Sequence, residues 1–340
     1  MTDRVGSIAV VQRPAPEAPG PGRVLVAPEA VGICGSDYSF FLGHMSDAAG
    51  GSHFPRVQGH EVGARVTAVG PGCRDELAPG RRVAVLPLHA CGRCYPCGVG
   101  RPNACDAFEL IGIHVDGGLQ ELLELPQEQV FGIDVGDGAA AALAEPVSIA
   151  VRATRRGRVA AGERVVVLGA GPIGQCVALV CSEIGADVLV VDLQDSRLAL
   201  ARSLGCETLE WSDGDEVVAR ARTWGGPGGP PVVLDATGAP AAVRAMTEIV
   251  ASAGRAVQVG MSPDQVSLRI GSLTEKELDL LGVSCCDADD FARAVGVVER
   301  NVAAVSRLVS HEFPLSRAPE ALRFAIEHPT DVMKVIIRDG

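Results

Sequence analysis

The stretch "RVVVLGAGPIGQ", residues 164–175, decides the fold of the middle of this chain. Its β-branched run is typical of a buried parallel strand, and it leads directly into Gly169, Gly171 and Gly174. This G-x-G-x-x-G pattern stands between a predicted strand and a predicted helix, the context in which it binds a dinucleotide. The glycines permit a tight turn and a close approach of backbone to a pyrophosphate. The helix N-terminus then offers free N–H groups and the positive end of its dipole.

The next strand, "DVLVVD", ends at Asp192, about 20 residues beyond the loop, where a carboxylate accepts hydrogen bonds from ribose hydroxyls. A carboxylate there repels the 2′-phosphate of NADP, so the sequence predicts NAD as the cofactor. Pro172 suits the first turn of the helix, and with Ile173 and Arg197 it completes the predicted cofactor-binding set. Two alternatives stay open: a glycine-rich turn without a nucleotide, and Asp192 as a cap or turn residue.

The rest of the chain divides around this segment. Strands and helices alternate between residues 146 and 289, which predicts a doubly wound α/β domain with a parallel sheet. Residues 1–145 read as short strands separated by glycine and proline, and residues 290–340 hold helices and a last strand, "MKVIIR". A length of 340 residues suits two domains.

Composition and charge exclude several classes of protein. The chain is 47% apolar, which is globular, and its net charge of −12 repels nucleic acid and anionic membranes. The N-terminus lacks the apolar core of a signal peptide, and no apolar run is long enough to span a membrane. We therefore expect a cytoplasmic protein with no nucleic-acid or membrane partner.

Four cysteines lie close together in a lobe at residues 89–106, which contains "HACGRCYPCGVGRPNAC". In reducing cytosol, such clustered thiols indicate a metal before a disulfide. Four thiolates make a closed, tetrahedral, structural zinc site, and four free thiols are the alternative. The predicted ligands are Cys91, Cys94, Cys97 and Cys105.

A second set of metal ligands is dispersed along the chain. Cys34 stands in "GICGSD", His60 and Glu61 in "QGHEVG", and Glu145 in "AEPVS". A catalytic zinc takes three protein ligands and keeps one open position. One thiolate and one carboxylate neutralise Zn²⁺, so we expect Cys34 and His60 with either Glu61 or Glu145. Each residue alone also has an ordinary structural role, and spacing does not show that they meet.

Together these motifs resemble the zinc-dependent medium-chain alcohol dehydrogenases. "GICGSD", "GHE", "VTAVG", the cysteine lobe, "EPVS" and "LGAGPIG" follow that family's order and approximate spacing over nearly the whole chain. "CYPCGVGRPNAC" with "GIHVDGG" is most similar to the polyol and sugar-acid branch, which includes sorbitol-, threonine- and gulonate/galactonate-type dehydrogenases. The resemblance implies a GroES-like catalytic domain (1–145 and 290–340), a Rossmann NAD-binding domain (146–289), and a dimer or tetramer.

The resemblance also implies a reaction: NAD-dependent oxidation of a secondary alcohol of a polyol or sugar acid to a ketone, by hydride transfer. Ser36 resembles the family's proton-relay hydroxyl, with an N-cap or turn serine as the alternative. Ser39 stands where many relatives carry a histidine, which leaves His44 as a relay or a surface residue. His114 either lines the substrate pocket or is an ordinary loop residue.

The stretch "GVSCCDADDF", residues 282–291, departs from polyol-type relatives because it lacks their arginine for substrate hydroxyls. Substrate identity therefore does not transfer directly. The alternatives are a threonine- or cyclitol-type dehydrogenase and, from another class, a non-catalytic redox regulator that binds zinc and NAD.

Overall fold

The computed structural model describes residues 1–45, 53–262 and 264–338. The chain forms two compact units. One combines Met1–Ser148 with Cys286–Gly340, and the other is Ile149–Cys285. Among the described residues, none of the helices has both the length and the apolar character that a membrane-spanning segment requires.

The strands, in chain order, are β1 (Thr2–Arg4), β2 (Ser7–Ile8), β3 (Arg23–Ile33), β4 (Glu61–Val69), β5 (Arg82–Val85), β6 (Leu88–His89), β7 (Glu109–Leu110), β8 (Leu123–Pro126), β9 (Val130–Gly132), β10 (Arg164–Leu168), β11 (Asp187–Asp192), β12 (Glu207–Glu210), β13 (Val232–Asp235), β14 (Arg255–Gln258), β15 (Asp279–Gly282), β16 (Val309–Pro314) and β17 (Lys334–Arg338).

The α-helices are α1 (Gly35–Phe41), α2 (Tyr95–Gly98), α3 (Gly138–Ala142), α4 (Ala144–Arg156), α5 (Pro172–Ile184), α6 (Asp195–Ser203), α7 (Gly214–Trp224), α8 (Pro240–Ile249), α9 (Ile270–Glu275), α10 (Ala288–Arg300), α11 (Val302–Ser306) and α12 (Ala318–Glu327). Short 3₁₀ turns occupy Asp75–Leu77, Pro102–Ala104, Gln127–Gln129 and Leu315–Arg317.

The second unit is a six-stranded parallel sheet in the order β12-β11-β10-β13-β14-β15. Residues 165–168 of β10 are all fully buried, because helices cover both faces of a doubly wound sheet. On one face Val166 and Leu168 pack with Val217 of α7 and Met246 of α8. β10 pairs with both β11 and β13, so it marks the switch point where such sheets bind ligands beyond their carboxyl ends. The predicted fold class is confirmed for this unit.

The first unit is built on a seven-stranded, mainly antiparallel sheet in the order β16-β17-β3-β4-β5-β9, with β8 also paired to β3. The last strand, β17, lies antiparallel to β3, with Val335 opposite Ile33. On the other side of β3, Gly32 lies opposite Glu61 of β4. The carboxyl end of β3 therefore lies between the ends of two strands that are far away in the sequence.

Helix α3 lies unusually close to this sheet because its side chains are small. A Cβ atom at Gly63 of β4 would lie 2.1 Å from the carbonyl oxygen of Gly138 and 2.7 Å from the amide nitrogen of Ala142. The Asp137 carboxylate caps α3 by accepting the Ala139 N–H at 3.2 Å. Helix α4 begins two residues after α3 ends, so this close packing determines where Glu145 is placed.

A charged group also ties the sheet together. Glu29 occupies a bulge where β3 slips against β4, and its carboxylate accepts Arg65 Nε at 2.8 Å and Arg82 Nε at 2.6 Å. Burial raises the pKa of Glu29, but the hydrogen bonds from Arg82 and Arg65 outweigh it and leave the pKa below its ordinary value. A depressed carboxyl pKa adds stability above the unfolded-state pKa, and this stability is lost as pH falls through the folded-state pKa.

We therefore expect Glu29→Gln to lower the Tm at neutral pH by about 2–4 °C, the shift that corresponds to roughly 1 kcal/mol. The difference from the parent protein should shrink as the pH falls below the ordinary carboxyl range, because the parent carboxylate then becomes protonated. Thermal unfolding followed by circular dichroism across this pH range measures it, with the exposed Glu17→Gln as the control. A Tm difference that does not vary with pH would contradict the role assigned to this carboxylate.

Candidate functional site

The first candidate site lies at the junction of β3 and α1. Cys34 is the N-cap residue of α1, and its N–H donates to the Asp37 carboxylate at 2.9 Å while the Asp37 N–H donates to the Cys34 carbonyl at 3.0 Å. This reciprocal pair satisfies N–H groups that a helix start leaves without intrahelical partners. The half-buried thiol is thereby held at the carboxyl end of β3.

The β3–β4 register brings the next two residues to the same place. His60 directly precedes β4 and Glu61 begins it, and both are almost fully buried. One ligand atom each from Cys34, His60 and Glu61 lies within 4.8 Å of the others. A thiolate, an imidazole and a carboxylate make a donor set that suits zinc.

His60 lies between a hydroxyl and an acid. Its Nε2 atom is 3.3 Å from Ser36 Oγ, and its Nδ1 atom is 3.7 Å from the buried Asp37 carboxylate, beyond hydrogen-bond distance. Burial lowers the pKa of His60, but the charges of Asp37 and Cys34 outweigh burial and raise it well above its ordinary value. The buried Nδ1 atom has no hydrogen-bond partner among the described residues, and an unsatisfied buried atom of this kind fits a site that binds a metal ion.

Glu61 has a partner that the sequence analysis did not single out. Lys334 of β17 places its Nζ atom 2.6 Å and 2.8 Å from the two carboxylate oxygens of Glu61. Burial lowers the pKa of this lysine, but the Glu61 carboxylate outweighs burial and the pKa is raised. The sequence signal for this pair was weak: Lys334 and Arg338 stand at the two ends of the strand "KVIIR", and only the middle of that strand is apolar.

Glu145 lies in the first turn of α4 and is buried. Burial is the main cause that raises its pKa to about 7, with Glu61 as a further cause and His60 as an opposing one. It is not part of the trio whose ligand atoms lie within 4.8 Å. Of the two carboxylates left open by the sequence, the structure brings Glu61 into the trio and Glu145 into its electrostatic surroundings.

The cysteine lobe forms a second group. The sulfur of Cys94 lies 3.4 Å from that of Cys97 and 3.7 Å from that of Cys105. Tetrahedral zinc with Zn–S bonds of about 2.3 Å requires S···S separations of roughly 3.8 Å, so these distances suit it. The N–H groups of Cys91 and Ala107 both donate to the Cys105 sulfur at 3.3 Å, which holds that sulfur in place within the lobe. All four predicted ligands, Cys91, Cys94, Cys97 and Cys105, belong to one group within 4.8 Å.

The glycine loop lies at the switch point of the second unit. Gly169 has φ = +97°, and a Cβ atom at Gly174 would lie 1.8 Å from the Gly169 carbonyl oxygen. Helix α5 begins at Pro172 with Gly171 as its N-cap, so its first N–H groups face the loop. The loop thus has the close backbone packing that only glycine allows.

Asp192 ends the neighbouring strand, β11. Its carboxylate accepts the Ala170 N–H at 2.6 Å and the Gln194 N–H at 2.8 Å, so it supports the loop and the following turn. Asp192 therefore has the turn role that the sequence analysis left open as an alternative. Arg197 of α6 places its Nη1 atom 3.9 Å from the position of a Cβ at Gly171, beside the loop, and Ile173 is half-buried in the first turn of α5.

The two histidines predicted to line a substrate pocket, His44 and His114, are not part of the trio formed by Cys34, His60 and Glu61. His44 is exposed just after α1, and the next residues, 46–52, are outside the described part of the chain. His114 accepts the Leu110 N–H at 3.0 Å and packs edge-on against Phe108, so one ring nitrogen serves its own loop. Farther along, the buried Cys286 accepts a hydrogen bond from Ser148 Oγ at 3.1 Å.

Comparison with known proteins agrees with this arrangement. Residues 20–135 match the alcohol dehydrogenase GroES-like domain, and residues 172–300 match the zinc-binding dehydrogenase family. The chain is 31% identical over 320 residues to L-galactonate-5-dehydrogenase of Escherichia coli K12, which covers 94% of this chain and 92% of that one. It is 32% identical over 339 residues to D-altritol 5-dehydrogenase of Agrobacterium fabrum, covering 97% and 96%.

Solved structures give the same result. An alcohol dehydrogenase of Escherichia coli CFT073 in complex with NADH superposes with a TM-score of 0.88 at 28% identity, covering 99% of this chain and 97% of that one. A zinc-binding dehydrogenase of Sinorhizobium meliloti 1021 bound to NADP gives a TM-score of 0.89 at 32% identity, with the same coverage. The chain therefore belongs to the zinc-type medium-chain alcohol dehydrogenase family, within its polyol dehydrogenase branch.

Proposed function

We propose that this protein is a zinc-dependent, NAD-linked dehydrogenase that oxidises a secondary alcohol of a polyol or sugar acid to a ketone. The observation that carries the proposal is the meeting of Cys34, His60 and Glu61 at the ends of β3 and β4. In the balanced reaction, the alcohol carbon gives a hydride to NAD⁺ and the hydroxyl loses a proton, which yields a ketone, NADH and H⁺. Relatives named for galactonate and altritol support this substrate class.

The residues around the trio fit the metal half of the reaction. Cys34 and His60 would hold zinc with Glu61 or Glu145 as the third ligand. When bound, zinc supplies Lewis acidity that makes a substrate hydroxyl easier to deprotonate. Ser36 Oγ, 3.3 Å from His60 Nε2, is the proposed relay: it would accept that proton while it releases its own toward solvent. Asp37 keeps the His60 ring oriented through its charge.

The glycine loop and Asp192 would hold the coenzyme. Each carboxylate oxygen of Asp192 accepts one main-chain N–H and has a second lone pair, so a ribose hydroxyl can still donate to it. The same charge repels a 2′-phosphate, which favours NAD. The NADP-bound neighbour is the reason for testing this preference directly.

The cysteine lobe would bind a second zinc with a structural role. Its four sulfur ligands fill a tetrahedral shell and keep no position for substrate. Binding there would contribute to folding of the lobe, because the ligand group does not exist in an unfolded chain.

Zinc-replete protein should form NADH with at least one of four substrate classes: hexitols, aldonates, cyclitols and L-threonine, assayed at mildly alkaline pH. Cys34→Ala should reduce this rate by more than about 100-fold, beyond the effect of losing a supporting contact to a metal site. The half-buried Cys73→Ala, whose thiol donates to the Arg23 carbonyl, is the matched control. Full turnover by Cys34→Ala would refute the catalytic role of the trio, and no turnover on the whole panel would refute the proposed substrate classes.

Cys97→Ser should lower the zinc content by one ion per chain, because it removes one of the four lobe ligands. The Tm should also fall, since metal binding is coupled to folding of the lobe. Elemental analysis and thermal unfolding measure both effects, with Cys73→Ser as the control. An unchanged zinc content would show that the lobe holds its thiols without a metal.

Asp192→Ala should reduce the preference for NAD over NADP by about tenfold or more, since a hydrogen bond to a charged group contributes about 1.5–3 kcal/mol. The ratio of kcat/KM for the two coenzymes measures this preference. Asp195→Ala, three residues farther on and exposed, is the matched control. Equal or better use of NADP by the parent protein would overturn the assignment.

A further inference from the structure

Lys334 is a buried lysine with an uncommon position. Its side chain is 3% exposed, and its Nζ atom lies within 2.8 Å of both Glu61 carboxylate oxygens. The chain has 30 lysines and arginines, and the lysines among them are Lys276 and Lys334. A compact ammonium thus stands at this buried carboxylate, in a chain whose other cationic side chains, apart from Lys276, carry the larger, planar guanidinium.

The ammonium also contacts the strand that carries the thiol. Lys334 Nζ lies 3.3 Å from the carbonyl oxygen of Ile33, the residue before Cys34. Gly32 leaves the space that the carboxylate occupies, because a Cβ there would lie 1.9 Å from Glu61 Oε2. Lys334 therefore joins the end of β3 to the start of β4 at the point where their ligand atoms meet.

The charges around the trio make this contact important. Cys34 and Glu61 can place two negative charges beside a divalent cation, and the Glu145 carboxyl group in their electrostatic surroundings can add a third, with Asp37 behind His60 as a further acid. Zn²⁺ offsets two of these charges, and the Lys334 ammonium offsets a third. A cation in a site with excess negative charge binds more tightly but withdraws less electron density from its remaining ligand.

We propose that Lys334 is a positioning residue of the metal centre: its ammonium holds the Glu61 carboxylate and offsets its charge, which limits metal affinity and preserves the metal's acidity. The inference rests on the proposed function, since it takes Cys34, His60 and Glu61 as a metal site. It assigns to the C-terminal strand a direct influence on that site.

The first test measures Co²⁺ affinity by chelator competition, without substrate or coenzyme. The absorption bands separate the one-thiolate site from the four-thiolate lobe. Lys334→Met should bind Co²⁺ at the one-thiolate site about 10-fold or more tightly, because a like charge is removed. In turnover assays its kcat should fall while the KM for the coenzyme stays unchanged. Lys334→Gln is the second variant in case the methionine variant does not fold.

The matched control is Lys276→Met. Lys276 donates to the carbonyl oxygens of Thr247, Glu248 and Val250 at 2.9–3.0 Å, at the end of α8 in the other unit. This variant should lose stability without a change in Co²⁺ affinity at the one-thiolate site. An affinity that is unchanged or weaker in folded Lys334→Met and Lys334→Gln would overturn the proposal.

The second test uses the parent protein labelled with isotopic lysine, since its two lysines give two sets of side-chain NMR signals. The Lys334 signals should shift when Zn²⁺ is added, and Lys276 serves as the internal reference. Lys334 signals whose chemical shifts do not change when Zn²⁺ is added would overturn the inference. If the metal affinity depends on Lys334 but no substrate is turned over, only the proposed function is contradicted. If substrate is turned over but the metal affinity does not depend on Lys334, only this inference is contradicted.

Discussion

The antiparallel pairing of the carboxyl end of β3 with β17 and β4 is the constraint on which the metal site depends. On one side Gly32 lies opposite Glu61, and on the other side Val335, next to Lys334, lies opposite Ile33. A shift of one residue in either ladder would turn a side chain to the other face of the sheet. The register therefore determines at once that the thiol, the carboxylate and the ammonium meet.

Small residues make this meeting possible. Gly32 leaves room for the Glu61 carboxylate, and Gly63 lets the alanine-rich helix α3 approach the sheet at backbone distance. Because α4 follows α3 directly, the same close approach brings Glu145 near the trio. Larger side chains at these positions would add apolar area to the core, but they would separate the groups that the site brings together.

The sequence predicts best what is encoded over short distances. The glycine loop and the cysteine lobe each lie within one short segment, so their spacing alone predicts their geometry, and the fold class followed from the alternation of strands and helices. The Glu61–Lys334 pair joins residues 273 positions apart, and no local pattern indicates it. Asp37 stands three residues after Cys34 in the sequence, but only the start of helix α1 explains why its carboxylate accepts the Cys34 N–H. The pocket role of His114 stays a prediction: the structure gives one of its ring nitrogens a partner in its own loop.

The buried ion pair also links folding of the first unit to completion of the site. Residues 286–340 rejoin the first unit after the whole second unit has intervened in the sequence. Without β17, residues 30–33 of β3 lose their ladder on one side and the Glu61 carboxylate is buried without its ammonium, which is unfavourable in an apolar environment. Pairing of β17 with β3 removes both problems together. The register of the last strand is therefore specified by its backbone ladder, by its apolar side chains and by one charge, and an incorrect register would leave that charge buried without a partner.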